Sequence, residues 1–358
     1  MCSLMKNIIS FQSWPTIYSF DPEIFKKSEL MATLYPLKFK TIFKDKIWGG
    51  EKINKVLGKN FDPLPNCGET WEISGVQGNI SEVSEGALTG KKLTELIEEY
   101  KGELVGEKVY EKSGNEFPLL VKFIDANADL SIQVHPDDTL AKKRHNSLGK
   151  TEMWYIFQAD EDTKLVSGFN KELDKETYLK HLNEKTLTEI MNYEDVEDDD
   201  VFFIPAGRVH TIGKGCLLAE IQQTSDITYR IYDFDRKDDQ GNTRELHTEE
   251  ALDAIDYKHY DQYKTQYDKS VKNAPVKLAS CPYFETNVLK CTESIERNYE
   301  NLDSFVIYVC FNGSLDIEFD GGTVSAKKGD AVLVPATINN VVLKPSPSFS
   351  ILESYVPA

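Results

Sequence analysis

The stretch VEDDDVFFIPAGRVH (residues 196–210) returns in altered form as VSAKKGDAVLVPATINN (residues 324–340) when Pro205 is placed on Pro335. In each copy a polar, turn-forming segment precedes a short run of apolar residues, and the proline ends that run. This order is typical of a turn followed by a β-strand. Similarity between two distant parts of one chain predicts a fold that contains two copies of the same unit.

A second pair of matching segments lies upstream of the first pair. MWYIFQA directly follows Glu152, and the similar IYVCFNG directly follows Val306. The two alignments together set Val306 against Glu152 and Asn340 against His210. The polar residues that could form a site are therefore kept only in the first copy.

Short apolar runs alternate with turn residues along most of the chain, among them PLKFKTIF, ETWEISGV, FPLLVKFIDA, LSIQVHP and EMWYIFQA. Many short strands at close spacing predict a mainly β fold, an antiparallel sandwich or barrel. Apolar residues at helical intervals predict α-helical insertions at residues 93–112 and 174–193, and a short helix near residues 245–255. The predicted domains are an N-terminal extension (1–33), a first barrel with these insertions (34–260) and a second barrel without site residues (261–358).

The composition argues against several classes of protein. The 358 residues carry a formal net charge of -18, whereas nucleic acids and anionic membranes bind basic surfaces. No apolar run is long enough to span a membrane and no signal-peptide pattern occurs, so we predict a soluble, cytoplasmic protein. The six cysteines are scattered without a C-x-x-C pair, which argues against a disulfide framework. A small phosphorylated ligand is compatible with this charge, since a few local lysines and arginines can hold it.

Four polar residues are candidates for a metal site. Gln133 and His135 lie two positions apart in SIQVHPDD, so on a strand both side chains leave the same face. Glu152 begins the next apolar run, and His210 follows the bend of IPAGRVHTIG. Two imidazoles, one carboxylate and one amide oxygen suit Zn²⁺, and Mn²⁺ or Fe²⁺ can use them.

Each of these residues also has a purely structural interpretation. A single buried histidine such as His135 or His210 can be a hydrogen-bonded residue of the core. Glu152 can be a charge at the end of a strand. Their joint occurrence, beside a second copy of the unit that lacks them, favours a metal site.

The segments QVHPDD…KTEMWY and PAGRVHTIG resemble the two divided cupin motifs of type I mannose-6-phosphate isomerases in their short bacterial form. YPLKFKTIFKDKIWGG, GETWEIS and PLLVKFIDANADLSIQVHPDD resemble the same family in the same order, from about Leu34 onward. The resemblance implies a double cupin, that is, two jelly-roll β-barrels, and one zinc ion per chain held by Gln133, His135, Glu152 and His210. It also implies the interconversion of mannose 6-phosphate and fructose 6-phosphate through a cis-enediol.

The segment EIQQTSDITYR, which ends at Arg230, resembles the family's active-site pattern E-x-x-x-x-S-D-x-x-x-R. The resemblance implies catalytic roles for Arg230, Lys150 and Glu220, and substrate contacts from Lys122, Lys150 and Arg230. Isomerisation needs a base near C1 and C2 and a Lewis acid for the substrate oxygens. The base stays open among Glu220, Lys150, a zinc-bound water and Asp226.

The chain departs from the cupin pattern at one turn. The second motif usually opens with Gly-Asp, but Asp199 and Asp200 stand there, while the second copy keeps Gly329 and Asp330. We therefore expect a locally different turn. The acidic run of residues 194–200 as a whole is interpreted as a solvated connector.

Two other functions remain open at this stage. Two histidines and a carboxylate also form the facial triad of non-haem iron oxygenases, although a fourth ligand, Gln133, argues against that class. A non-catalytic cupin that binds sugars is the other alternative, because fold alone does not determine function. The predicted partner is a small sugar phosphate, and no oligomeric state is predicted.

Overall fold

The computed structural model describes residues 33–238 and 240–357, so the predicted N-terminal extension lies almost wholly outside the described residues. Its strands, in chain order, are β1 (Leu37–Lys38), β2 (Ile42–Lys44), β3 (Glu69–Ile73), β4 (Leu119–Asp125), β5 (Ile132–Val134), β6 (Glu152–Ala159), β7 (Lys164–Phe169), β8 (Met191–Asp195), β9 (Val201–Ile204), β10 (His210–Thr211), β11 (Cys216–Gln223), β12 (Tyr229–Tyr232), β13 (Pro275–Ser280), β14 (Glu285–Cys291), β15 (Ile295–Asn298), β16 (Val306–Phe319), β17 (Gly322–Lys327), β18 (Ala331–Val334) and β19 (Asn340–Tyr355).

Helices are fewer and short. They are α1 (Lys52–Lys55), α2 (Leu93–Tyr100), α3 (Gly102–Val105), α4 (Glu107–Ser113), α5 (Asp138–His145), α6 (Lys175–Asn183) and α7 (Thr248–Leu252), with a 3-10 turn at Leu187–Ile190. The predicted mainly β fold with helical insertions is confirmed. Among the described residues, no helix is both long and apolar enough to cross a membrane.

The strands form three antiparallel sheets. A six-stranded sheet has the order β2-β3-β4-β11-β6-β9, and a five-stranded sheet has the order β12-β5-β10-β7-β8. The eight-stranded sheet has the order β1-β18-β16-β19-β14-β13, with β15 added to β19 and β17 added to β16. The first two sheets contain the predicted site residues, and the third comes almost entirely from the C-terminal part of the chain.

The strand register agrees with the internal repeat found in the sequence. Glu152 of β6 lies opposite Ile204 of β9, and Val306 of β16 lies opposite Val334 of β18. The alignment on Pro205 and Pro335 equates Ile204 with Val334, and the upstream alignment equates Glu152 with Val306. The two halves therefore share a strand pair in identical register, and the double cupin as a whole stays a prediction.

One strand crosses the predicted domain boundary. Leu37 and Lys38 of β1 pair with Leu333 and Val332 of the eight-stranded sheet, although residues 34–260 were predicted as the first barrel. The boundary near residue 260 stays a prediction. This pairing ties the beginning of the described chain to its C-terminal part.

The helical insertion predicted at residues 93–112 is not one continuous helix. The chain forms three short helices there. Lys101 and Gly106 interrupt it with positive φ angles of 49° and 99°. A Cβ at Gly106 would lie 2.4 Å from the carbonyl oxygen of Asp303. The backbone of the C-terminal half approaches so closely that only glycine fits.

The predicted helix of residues 174–193 ends early. Asp174 is its N-cap and accepts a hydrogen bond from Thr177 N at 2.7 Å. The chain leaves the helix after Asn183, and Lys185 adopts a positive φ of 58°. Residues 191–195 then form β8 instead of a last helical turn.

The turn before β9 differs less from its second copy than predicted. Asp199 has a φ of 68° and Gly329 a φ of 94°, so both occupy the left-handed region. The Asp199 side chain accepts a hydrogen bond from Tyr155 Oη at 2.5 Å and pairs with Lys290 Nζ at 2.6 Å. These contacts offset the strain that a residue other than glycine carries there.

The acidic run is not solvated throughout. Asp200 is buried, with 4% of its surface exposed, and its carboxylate pairs with Lys264 Nζ at 2.7 Å and Lys269 Nζ at 2.9 Å. The interpretation of the whole run as a solvated connector is therefore wrong at this residue. Two lysines of the segment after α7 compensate the buried charge.

Candidate metal centre and its cavity

Two sheets together position the four predicted metal ligands. Gln133 lies in β5 and His210 in β10, and these two residues are register partners. His135 follows β5 directly, and Glu152 begins β6 in the other sheet. Residues far apart in the sequence thus meet because the five-stranded and six-stranded sheets bring their strand ends together.

Three of the four residues form a compact cluster of metal-ligating atoms. One donor atom each of His135, Glu152 and His210 lies within 4.8 Å of the others. His135 Nε2 is 3.7 Å from Glu152 Oε2, and His210 Nε2 is 3.5 Å from Glu152 Oε1. All three residues are buried. The spacing leaves room between the donor atoms for one ion.

Backbone carbonyls orient both imidazole rings. His135 Nδ1 donates to the carbonyl oxygen of Ile227 at 2.9 Å, and His210 Nδ1 donates to that of Arg208 at 2.8 Å. A carbonyl oxygen only accepts, so the proton of each neutral ring lies on Nδ1. The lone pair of each Nε2 is left directed into the cluster, as in metal-binding histidines.

Several buried atoms of the cluster have no hydrogen-bond partner. His135 Nε2 and Glu152 Oε1 have none, and Glu152 Oε2 has only its ion pair with Lys150 Nζ at 3.1 Å. A buried polar atom without a partner costs about 1–3 kcal/mol of stability. A cation between these atoms would remove that cost, so the residues present fit a divalent metal.

Gln133 reaches the cluster through its amide. The amide Nε2 lies 3.2 Å from His210 Nε2. The nitrogen and oxygen of a glutamine amide differ little in shape, and a half-turn about the last bond exchanges them. Gln133 can thus present its oxygen as a fourth ligand, as the sequence predicted.

Burial determines the protonation of the ligands. It lowers the pKa of His210 to about 3 and holds the pKa of His135 well below its ordinary value. Both rings are neutral at physiological pH, which metal binding requires. Burial and the Glu220 carboxylate raise the pKa of Glu152 to about 7, against the opposing effect of Lys150.

A cavity of about 460 Å³ adjoins the cluster and brings the other predicted site residues together. Its lining includes Gln133 and all four of the remaining predicted residues: Lys122, Lys150, Glu220 and Arg230. Asp226, one of the candidates for the base, also lines it. Five of the eight predicted site residues thus line one cavity, and the other three form the cluster beside it.

Other residues of the cavity were not predicted. Lys44, Lys46 and Trp48 come from the segment FKDKIWGG, and Glu69 and Trp71 from GETWEIS. Both segments were recognised in the sequence, but their spacing gave no reason to assign them to the site. Arg244, which the sequence did not single out, also lines the cavity.

Glu220 is the centre of a buried ionic network. Its Oε1 accepts a hydrogen bond from Lys122 Nζ at 2.9 Å, and its Oε2 accepts one from Trp154 Nε1 at 3.2 Å. Lys150 Nζ lies 4.0 Å from Oε1 and 3.1 Å from Glu152 Oε2. Burial raises the pKa of Glu220, but the two lysines outweigh burial and leave the pKa below its ordinary value.

Arg230 lies beside the metal cluster on β12. It is the register partner of Gln133, and its Nη1 donates to the carbonyl oxygen of Glu245 at 2.8 Å. Its Nε is buried without a hydrogen-bond partner among the described residues. The guanidinium thus keeps donors free for an anionic oxygen.

Comparison with known proteins shows the family to which the chain belongs. Residues 36–165 match the family model described as phosphomannose isomerase type I, catalytic domain. A probable mannose-6-phosphate isomerase of Bacillus subtilis, GmuF, is 34% identical over 88% of this chain and 98% of its own length. The mannose-6-phosphate isomerase ManA of the same organism is 35% identical over 85% of this chain and 94% of its own length.

Solved structures agree with these matches. The crystal structure of a mannose 6-phosphate isomerase from Bacillus subtilis superposes with a TM-score of 0.80 and 31% identity, over 89% of this chain and 99% of that chain. A putative mannosephosphate isomerase from Archaeoglobus fulgidus superposes with a TM-score of 0.72 at 22% identity, over 91% of this chain and 99% of that chain. The second match shows a common fold alone.

Proposed function

Because this chain belongs to the type I mannose-6-phosphate isomerases and is an enzyme of that activity, we propose that it uses one zinc ion per chain. We further propose that it interconverts mannose 6-phosphate and fructose 6-phosphate through a cis-enediol. The observation that carries the proposal is the buried cluster of His135, Glu152 and His210, whose donor atoms lie within 4.8 Å of one another. Family membership leaves the two alternatives, an oxygenase and a non-catalytic sugar-binding protein, without support.

His135, Glu152 and His210, with Gln133 as fourth ligand, would hold the zinc. When bound, the ion supplies a Lewis acid that stabilises negative charge on the substrate oxygens. Nitrogen and oxygen ligands of this kind suit zinc. The adjoining cavity would give a substrate access to the ion.

Lys150 and Arg230 would stabilise the charge that develops during the reaction. Removal of a proton from the carbon next to the carbonyl puts negative charge on the oxygens of C1 and C2. Lys150 lies beside the ligand Glu152, and Arg230 beside Gln133, so both cations are near the reacting end of the substrate. Fixed cations at a developing anion lower the barrier in a site that excludes water.

Among the candidates for the base, the proposal selects Asp226. A base must take the proton from one carbon and return it to the other. Glu220 accepts hydrogen bonds from Lys122 and Trp154, which occupy its oxygens and weaken it as a base. Asp226 lines the same cavity and has no ion pair among the described residues. We propose Asp226 as the base and Glu220 as a positioning residue.

The internal repeat supports this role for Glu220. Glu220 is the register partner of Trp154, and Glu353 is the register partner of Tyr308, at the equivalent position of the second copy. Glu353 is fully buried and binds Arg297 through both oxygens, at 2.8 and 2.9 Å. A buried glutamate is thus kept in the half that lacks the ligands, where it serves as an ionic anchor.

The proposal is tested by metal analysis and by a coupled assay with mannose 6-phosphate. We expect about one zinc per purified chain, loss of turnover with a chelator and recovery on addition of zinc. Solvent deuterium should enter the product at C1, because the proton passes through a base that exchanges with water. Full turnover by a metal-free sample would contradict the zinc proposal, and hydride transfer without any exchange would contradict the enediol.

His210→Ala provides the variant for the ligand set. The substitution removes one donor atom, so we expect the protein to lose its zinc while its circular dichroism spectrum stays unchanged. His181→Ala is the matched control, because His181 bonds Thr186 outside the cluster, and it should keep the metal. Stoichiometric zinc in His210→Ala would remove His210 from the ligands.

A further inference from the structure

Six cations line the cavity beside the metal cluster, and most of them are already neutralised. Four form ion pairs with carboxylates: Lys46 with Glu69, Lys122 with Glu220, Lys150 with Glu152 and Arg244 with Asp233. Lys44 and Arg230 form no such pair among the described residues. No described carboxylate offsets the charge of these two cations, so they are the candidates to bind the phosphate of a substrate.

The two available cations lie at different distances from the metal cluster. Arg230 is the register partner of Gln133 and lies next to the ligands. Lys44 belongs to β2, the edge strand of the other sheet, and is the register partner of Glu69. In that sheet β3, β4 and β11 separate β2 from β6, which begins with Glu152. Since neighbouring strands lie about 4.8 Å apart, the strand that carries Lys44 is well separated from the strand that begins with Glu152.

A row of side chains connects the metal cluster with Lys44 along one wall of the cavity. Lys150 Nζ lies 3.1 Å from Glu152 Oε2 and 4.0 Å from Glu220 Oε1. Glu220 Oε1 in turn lies 2.9 Å from Lys122 Nζ. The centre of the Trp71 ring is 5.4 Å from Lys122 Nζ and 5.0 Å from Lys44 Nζ. Lys122 and Lys44 thus both contact the indole of Trp71.

Uncharged groups hold the Lys44 ammonium in place. It donates a hydrogen bond to Asn79 Oδ1 and lies over the Trp71 ring, whose π-electrons attract a cation. Neither contact neutralises the charge. Lys44 is half-buried, so its flexibility is reduced while its remaining donors stay accessible from the cavity.

We propose that Lys44 binds the phosphate of the substrate and thereby selects phosphorylated over unphosphorylated hexoses. A hexose 6-phosphate carries its reacting carbons and its phosphate at opposite ends. With C1 and C2 at the metal cluster, the phosphate reaches toward the end of the cavity where Lys44 lies. The assignment rests on the proposed function, because it takes the cluster of His135, Glu152 and His210 as the reacting end.

Calorimetric titration with glucitol 6-phosphate tests the assignment without turnover, because this ligand has no carbonyl group to isomerise. Zinc-loaded and chelator-treated protein are both titrated, so failure of the zinc proposal does not affect the result for Lys44. We expect Lys44→Gln to weaken binding at least about tenfold, since hydrogen bonds to charged groups contribute that much. Lys44→Arg keeps the charge and should stay within a few-fold of the natural protein.

The matched control is Lys40→Gln. Lys40 is exposed, precedes the same strand and pairs with Glu82 outside the cavity, so its loss should leave the affinity unchanged. Steady-state kinetics supply the second measurement: Lys44→Gln should raise KM for mannose 6-phosphate far more than it lowers kcat. Unchanged affinity for glucitol 6-phosphate in folded Lys44→Gln, or an equal loss in Lys40→Gln, would overturn the assignment.

Discussion

The proposed roles of single side chains in the site differ according to whether a neighbouring group already neutralises their charge. Glu220 accepts hydrogen bonds from Lys122 and Trp154, whereas Asp226 has no ion pair among the described residues. A carboxylate that is saturated with donors holds its neighbours in place, and a free carboxylate can take a proton. The same contrast separates Lys44 from Lys122 among the cations.

This division predicts different kinetics for two variants. Asp226→Asn removes the proposed base and should lower kcat about 10²–10⁴-fold, the usual contribution of a general base. Glu220→Gln keeps the shape of the anchor but not its charge, so kcat should fall less. The pH profile of kcat/KM separates the roles, because Glu220→Gln should keep an acidic limb that is lost in Asp226→Asn.

The opposite result has a clear meaning. Loss of the acidic limb in Glu220→Gln, with the limb kept in Asp226→Asn, would make Glu220 the base. Metal analysis of both variants is the necessary control, because neither residue belongs to the proposed ligand set and both proteins should bind zinc.

At the scale of elements, the C-terminal half of the chain determines where helices of the first half begin. Asp303 Oδ1 accepts a hydrogen bond from Glu107 N at 2.7 Å, and Oδ2 accepts one from Lys108 N at 3.0 Å. The first backbone N–H groups of a helix have no partner within the helix. Asp303 thus caps α4 across nearly two hundred positions of sequence, where Gly106 supplies no side-chain cap.

Asp303→Ala should therefore destabilise the protein by about 1 kcal/mol, the typical cost of a lost N-cap. The midpoint of urea denaturation measures the change. Asp303→Asn keeps one acceptor oxygen and should lose less. An unchanged midpoint in Asp303→Ala would show that water replaces the cap without cost.

At the scale of the whole molecule, two neighbouring aspartates join distant parts of the chain. Asp199 pairs with Lys290 of β14, and Asp200 pairs with Lys264 and Lys269 of the segment between α7 and β13. Burial raises the pKa of both aspartates, but their lysine partners and hydrogen bonds outweigh burial and lower it. Both carboxylates are therefore more acidic in the folded protein than in the unfolded chain.

A carboxylate whose pKa is lowered by folding makes the free energy of unfolding decrease as the pH falls into the acid range. The contribution of the pairs is fully present above the unfolded pKa of about 4 and is lost as pH falls through the lower, folded pKa. We expect the melting temperature to decrease as the pH is lowered below about 4. Asp200→Asn should lower the melting temperature at neutral pH and flatten this acid dependence, as measured by calorimetry. An acid dependence as steep as in the natural protein would contradict the role of Asp200.

The sequence by itself determined the strand-rich fold, the internal repeat and the residues of the candidate metal cluster. These features follow from local rules: side chains alternate along a strand, so Gln133 and His135 share a face, and the repeat shows which polar residues one copy lacks. The register of Glu152 with Ile204 and of Val306 with Val334 confirms that alignment.

Only the tertiary structure decided which charges remain free and where the helices break. Lys44 and Lys122 look alike in sequence, but Glu220 neutralises one of them and no described carboxylate neutralises the other. Gly106 breaks a helical pattern because the backbone of Asp303 approaches it. Neutralisation and close approach depend on residues brought together by sheet pairing over long distances in sequence, which no local pattern encodes.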